Sequence, residues 1–100
     1  MPKKKKKQKQ ERDKLYSEMQ KYNQMLRFRE LKKELGLTYG ELAERLGYKN
    51  LQHIYKFHSG ARQISITLAH RIYREFGWRV EYMLGWDDYK TDAERFAAVK

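Results

Sequence analysis

The 100-residue sequence contains no cysteine, and it has only one proline and six glycines. The absence of cysteine excludes a disulfide framework, a thiolate metal site and a cysteine nucleophile. No apolar run approaches the roughly 18 residues of a membrane span, and no apolar stretch of a signal peptide follows the lysine-rich start. We therefore expect a soluble protein of the cytoplasm.

Side chains that catalyse reactions or hold metals occur without a recognisable arrangement. No nucleophile–base pairing or carboxylate pair has the spacing of a known catalytic site, and the sequence contains no glycine-rich phosphate loop. His53, His58 and His70 are five and twelve residues apart, which misses the i, i+4 spacing that brings two imidazoles together on a helix. We expect neither an enzyme nor a bound metal or cofactor.

Acidic residues are also missing from a long central stretch. The chain carries 23 Lys and Arg against 13 Asp and Glu, a net charge of +10, but no carboxylate lies between Glu44 and Glu75. A strongly basic balance predicts an anionic partner, either nucleic acid or an acidic surface. The cations that make this stretch a predicted anion-facing surface are Arg45, Lys49, Lys56, Arg62, Arg71 and Arg74.

The chain divides into an arm and a helical domain. Residues 1–12 contain no apolar residue after Met1, so they are predicted to be a disordered lysine-rich arm. A long first helix follows and ends at Gly36, because a residue with a left-handed backbone commonly ends a helix. Its predicted apolar face, which would dock on the domain, is the stripe Leu15, Met19, Tyr22 and Leu26.

Short helices with clear start and stop residues fill the rest of the chain. Thr38 and Glu41 have the spacing of a capping box, Asn50 and Ser65 are further N-cap candidates, and Thr91 with Glu94 repeats the box. Strand-like alternation is absent. The predicted fold class is therefore all-α, a compact domain of five to six helices over residues 13–85 with a helical extension over residues 86–100.

Two of these helices, Thr38–Gly47 and Asn50–Gly60, are separated by a short glycine-containing turn. This is the helix-turn-helix arrangement. Ala43 is small where the helices cross, Gly47 suits a left-handed turn, and Ile54 is predicted to anchor the second helix together with Phe57.

Residues 26–84 resemble the lambda-repressor-like (Cro/repressor, XRE-type) family of DNA-binding domains. The residues that carry the resemblance are Arg29-Glu30-Leu31, Gly36-Leu37-Thr38, Leu42-Ala43, Leu46-Gly47, Gly60 and the spacing from Ser65 to Gly77. Two positions depart from the family: one residue is inserted among Tyr48, Lys49 and Asn50, and His58 stands where Glu is frequent.

The resemblance implies a transcriptional regulator that binds a specific double-stranded DNA operator and represses by occupying it. The helix over residues 50–59 would enter the major groove. By position, the base readers are Leu51, Gln52, Tyr55 and Lys56, although Leu51 and Tyr55 could instead help the core. The phosphate contacts are Thr38, Tyr39, Lys49, Asn50, Ser59 and Arg62. The lysines Lys3, Lys4, Lys5, Lys6 and Lys7 are either a DNA-embracing arm or a solvated tail.

One recognition helix reads few base pairs, so a homodimer on a palindrome is expected. The candidate dimer contacts are Trp86, Tyr89, Phe96 and Val99. Two alternatives stay open. An antitoxin-type or excision-regulator protein would use residues 86–100 for a protein partner, and a non-specific nucleic-acid binder of the nucleoid would use charge alone.

Overall fold

A computed structural model describes the backbone of residues 2–99 and the side chains of residues 11–99. Within residues 2–99 the chain forms six helices and no strand, so the predicted all-α fold is confirmed. The helices are α1 (Pro2–Leu35), α2 (Tyr39–Leu46), α3 (Leu51–Ser59), α4 (Ile66–Phe76), α5 (Val80–Met83) and α6 (Asp92–Val99). In the described part, no helix has the length and apolar character needed to cross a membrane.

The helices begin where the sequence supplies a side-chain cap. Thr38 Oγ1 accepts a hydrogen bond from the Glu41 amide, and the Glu41 carboxylate accepts one from the Thr38 amide, as a capping box requires. Asn50 caps α3 through the Gln52 amide, and Ser65 caps α4 through the Leu68 amide. These predicted caps are confirmed.

The cap of α6 differs in part from the predicted box. The Thr91 hydroxyl accepts a hydrogen bond from the Glu94 amide at 3.2 Å, as expected. The Glu94 carboxylate, however, accepts one from the Lys90 amide at 2.9 Å, so the box spans one residue more than predicted.

The core lies where α1, α2, α3, α4 and α5 meet. Phe28 and Leu31 of α1 are fully buried, and the Phe28 ring lies 5.6 Å from the Phe57 ring of α3. Fully buried with them are Leu42, Leu46, Ile54, Ala69, Ile72 and Met83.

The predicted docking face of α1 is wrong. The stripe formed by Leu15, Met19, Tyr22 and Leu26 is exposed, and α1 packs through Gln24, Phe28 and Leu31 instead. The reason is geometric. At 100° per residue, Gln24 and Tyr22 point in nearly opposite directions from the helix axis, so only one of the two faces can contact the domain.

Charged side chains hold the segment after α5 against the domain. Arg79 forms ion pairs with Asp87 at 2.9 Å and Glu81 at 3.0 Å, and Arg27 pairs with Asp88 at 2.9 Å. The Arg27 guanidinium also donates to the Asp87 carbonyl oxygen. The extension over residues 86–100 therefore starts in direct contact with α1 and α5, and its treatment as a separate unit stays a prediction.

The arm predicted over residues 1–12 falls mainly on the part of the chain whose side chains are not described. The backbone of α1 begins at Pro2. Lys3 to Lys7 lie outside the described side chains, and both the disorder of this segment and its contact with DNA stay predictions.

Candidate nucleic-acid interface

The turn between α2 and α3 is closed by backbone hydrogen bonds. Gly47 adopts a left-handed conformation with φ 79°, and the Tyr48 amide donates to the Ala43 carbonyl oxygen at 2.8 Å. A β-carbon at Gly47 would meet the movable end of the Arg71 side chain, so the left-handed backbone is the stronger reason for glycine at this position. The turn accommodates the additional residue, since Ile54 is still fully buried.

Helix α3 buries one face and presents the other. Ile54 and Phe57 are buried, as predicted. The four residues predicted to read bases all lie on the exposed side: Leu51, Gln52, Tyr55 and Lys56. Leu51 is 38 % and Tyr55 42 % exposed, so neither is a core residue. The sequence and the fold therefore place hydrogen-bonding, apolar and cationic groups together on one surface, which we call the α3 face.

The residues predicted to contact phosphates differ in whether their side chains are exposed or already hydrogen-bonded within the protein. Lys49 is exposed, whereas the side-chain oxygens of Thr38 and Asn50 act as helix caps. Ser59 Oγ donates to the Lys56 carbonyl oxygen at 3.2 Å and accepts from the Ala61 amide. The Arg62 guanidinium donates to Nδ1 of His53 at 2.8 Å, so it lies along α3.

Tyr39 is a packed residue at the edge of the α3 face. Its ring makes edge-on contacts with Tyr55 at 4.8 Å and His58 at 5.3 Å. The Lys32 ammonium lies 4.3 Å from the centre of the same ring. This cluster joins α1, α2 and α3, so the orientation of Tyr55 depends on all three helices.

The cations of the carboxylate-free stretch have different surroundings. Arg45, Arg71 and Arg74 line a cleft together with Glu44 and Glu75, and Arg45 pairs with Glu75 at 3.2 Å. The guanidinium of Arg71 donates to the Leu46 carbonyl oxygen, which fixes the end of α2. The remaining cations, Lys49, Lys56 and Arg62, belong to the α3 face and its border. The anion-facing role of this stretch stays a prediction.

Comparison with known proteins finds a relative that matches about half of the chain. Over 49 residues, the chain is 51 % identical to an uncharacterized HTH-type transcriptional regulator of Methanothermobacter thermautotrophicus, and the match covers 49 % of this chain and 70 % of the relative. The chain belongs to the family of HTH-type transcriptional regulators. No protein-family model and no solved structure matches it.

In this HTH regulator, α1 adds two cations that the sequence analysis did not assign to the interface. Arg29 Nε donates to the His58 carbonyl oxygen at 2.6 Å, and Lys32 lies over Tyr39. Both follow from the packing of Phe28 on Phe57, which turns this side of α1 toward the end of α3. A signal that could have located them is the spacing of Phe28 and Leu31, which marks the buried side of α1.

His58, at the departure from the lambda-repressor-like pattern, is affected by the same cations. Burial, followed by the charges of Arg29 and Lys32, lowers the pKa of His58 below its ordinary value of 6.5. The imidazole is therefore held in its neutral form more firmly than in the unfolded chain, beside a surface that is otherwise cationic.

Two further predictions concern metal ligands and dimer contacts. Within the described part of this regulator, no cluster of His, Asp and Glu has the composition of a metal site. Of the candidate dimer contacts, Trp86 is 56 %, Phe96 65 % and Val99 62 % exposed, while Tyr89 is half-buried beneath Arg95. Their role in a dimer stays a prediction.

Proposed function

We propose that this chain is a lambda-repressor-like regulator that binds a specific double-stranded DNA site with α3 in the major groove and represses transcription by occupying it. The observation that carries the proposal is the α3 face. There Leu51, Gln52 and Lys56 project outward together from a helix that contains no carboxylate.

Each exposed group of the α3 face suits a different feature of a base-pair edge. The Gln52 carboxamide can form a bidentate pair with adenine N6 and N7, and the Lys56 ammonium can donate to guanine O6 or N7. Leu51 suits the methyl group of thymine. Tyr55, held by Tyr39, provides a fixed apolar surface beside them.

Phosphate contacts set the position of α3 on the duplex. Lys49 is exposed at the turn, and Arg62 lies beside α3. The first amides of α2 point out of the helix end near Thr38 and Tyr39, where the helix dipole favours an anion. Asn50 and Ser59 border the same path. These groups supply affinity on any sequence, and the base contacts supply the choice of site.

We further propose a homodimer on an inverted repeat, with half-site centres about one helical turn apart. Operator occupancy requires no catalytic step, so the proposed mechanism assigns no enzymatic activity, cofactor or metal to the chain. A regulator that acts in this way works on the chromosome in the cytoplasm.

Selection of bound DNA from a random pool, followed by binding measurements, tests the proposal. Replacing Gln52 with Ala should cost about 1–3 kcal/mol on the best site and remove the preference at one base pair per half-site. Gln63→Ala is the matched control, because Gln63 is exposed and lies outside α3. It should leave that base preference unchanged.

The alternative functions give different results in the same experiment. Equal losses on selected and random DNA with Gln52→Ala would contradict base reading and favour a non-specific binder. The exposed Trp86 and Val99 favour a second, protein-binding role of the antitoxin type. That role predicts a protein partner whose binding is lost in Trp86→Ala while DNA binding is retained.

A further inference from the structure

An apolar stripe covers the side of α1 that faces away from the core. Among residues 11–99, the exposed large apolar side chains include five close together on this one helix. Leu15, Met19, Tyr22 and Leu26 are 58, 55, 58 and 40 % exposed, and Tyr16 beside them is 61 % exposed. A contiguous apolar surface of this kind on a soluble chain is typical of a protein–protein contact.

The spacing of the stripe is that of a coiled-coil seam. Leu15, Met19, Tyr22 and Leu26 follow each other by four, three and four residues, which are the alternating core positions of a heptad repeat. The helix is already anchored, because Phe28 and Leu31 hold its C-terminal half in the core. A partner helix would therefore meet a preformed surface and avoid much of the cost of ordering it.

We propose that the stripe pairs with the same stripe of a second copy of this chain, antiparallel and about a two-fold axis. The spacing is symmetric under that operation: Leu15 comes opposite Leu26 of the second copy, and Met19 comes opposite Tyr22. Each of the four apolar residues of the seam thus lies opposite an apolar residue. The two-fold axis repeats each pair, so the seam contains two Leu15–Leu26 pairs and two Met19–Tyr22 pairs.

The charges beside the seam favour the antiparallel direction. A parallel pair would place the lysine runs Lys3–Lys7 of both copies side by side, which is repulsive. The core-facing residues Gln24 and Phe28 lie on the opposite side of α1, so the two domains would stand on the outside of the helix pair.

Sedimentation equilibrium of the full chain without DNA tests the pairing, independently of the proposed DNA binding. Wild type should dimerise, and Met19→Glu and Tyr22→Lys should each weaken the dimer about tenfold or more. The chain that carries both substitutions should regain most of the loss, because the antiparallel register brings the introduced carboxylate opposite the introduced ammonium of the second copy. Ile66→Glu on α4 is the matched control, since Ile66 is 57 % exposed.

The direction of pairing can be read by cross-linking, because the chain has no native cysteine. Chains carrying Met19→Cys and chains carrying Tyr22→Cys should form a mixed disulfide when combined under oxidising conditions. Each variant alone should cross-link poorly. In an antiparallel pair, a cysteine at one position does not lie level with the same position of the second copy, so the two sulfur atoms are too far apart for a disulfide.

Three results would overturn the proposal. The first is a wild-type chain that stays monomeric at about 100 μM. The second is a dimer that is lost on Trp86→Glu and retained on Met19→Glu, which would assign the contact to the C-terminal extension. The third is efficient cross-linking of Met19→Cys with itself, which would show a parallel pair. Unchanged circular dichroism of each variant shows that the fold is intact.

Discussion

The carboxamide of Gln24 connects three distant parts of the chain. Its Nε2 donates to the Leu84 carbonyl oxygen at 3.1 Å, and its Oε1 accepts from the Ile64 amide at 3.0 Å. Gln24 is the only polar residue that is buried between residues 11 and 99, with 9 % of its surface exposed. A buried polar group is tolerated when it is fully hydrogen-bonded, and here both ends of the amide are.

Replacing Gln24 with Met should lower the free energy of unfolding by about 2–4 kcal/mol, because a buried amide and a buried carbonyl lose their partner. Urea denaturation measures the change. Gln63→Met changes the same side chain at an exposed position and should stay within about 0.5 kcal/mol of wild type. A similarly small effect at Gln24 would show that water replaces the carboxamide.

His58 links stability to pH with a definite sign. Burial and the charges of Arg29 and Lys32 lower its pKa in the folded state below the ordinary value of 6.5. Between the lowered pKa and 6.5, the unfolded chain binds more protons than the folded chain, so stability rises with pH. The contribution of His58 is therefore present above pH 6.5 and is lost as the pH falls toward the folded pKa.

An NMR titration of the imidazole protons should place the His58 midpoint below 6.5 and shift it upward in Lys32→Gln. Lys33→Gln is the control, because Lys33 is an exposed neighbour on α1 that is not among the causes of the His58 shift. A midpoint that Lys32→Gln leaves unmoved would contradict the electrostatic cause. In the DNA complex the midpoint should rise, since a nearby phosphate stabilises the imidazolium.

At the scale of elements, the sequence predicted the helix caps and the buried face of α3, but it did not predict the packed face of α1. The caps at Thr38, Asn50 and Ser65 depend on residues within one turn, so they can be read locally. The packed face of α1 depends on contacts with residues many positions away. There an exposed stripe from Leu15 to Leu26 showed stronger periodicity than the true core face, which a buried Gln24 interrupts.

In the candidate interface too, local features could be predicted from the sequence and tertiary contacts could not. The exposure of Gln52 and Lys56 followed from the period of α3 alone, because Ile54 and Phe57 mark its buried side. The approach of Lys32 to Tyr39 could not be predicted, since it requires the packing of α1 against α2 and α3. The engagement of Arg71 with the end of α2 is likewise a tertiary contact.

Asn50 caps α3, and substitutions can separate this role from its proposed phosphate contact. Asn50→Ala should cost about 1 kcal/mol of stability, because the Gln52 amide loses its cap. Asn50→Asp keeps a capping oxygen and hence the stability, but its negative charge should weaken DNA binding about tenfold on all sequences. Thermal unfolding and DNA titration measure the two effects. Unimpaired DNA binding by Asn50→Asp would place the phosphate path elsewhere.

At the scale of the whole molecule, two groups of cations belong to the proposed contact with DNA. One lies at the border of the α3 face and consists of Lys49, Lys56 and Arg62. The other is the N-terminal run Lys3–Lys7. The pairing proposed for α1 would carry these lysine runs to opposite ends of a dimer, where each has an anionic duplex as its natural partner.

Removing residues 2–7 tests whether the lysine run binds DNA. Each lysine that neutralises a phosphate steepens the salt dependence of binding by about 0.9 in the log–log slope, so engagement of a few lysines predicts a slope lower by roughly 2–4 per protomer. Affinity should fall equally on the selected site and on random duplex, because phosphate contacts carry no sequence information.

A chain with Lys3–Lys7 replaced by Gln keeps the length of the protein and should show the same change in slope as the truncation. Stability should hardly change, since residues 2–7 contain no large apolar side chain to bury. An unchanged slope would show a solvated tail, and a loss confined to the selected site would show that these lysines read bases.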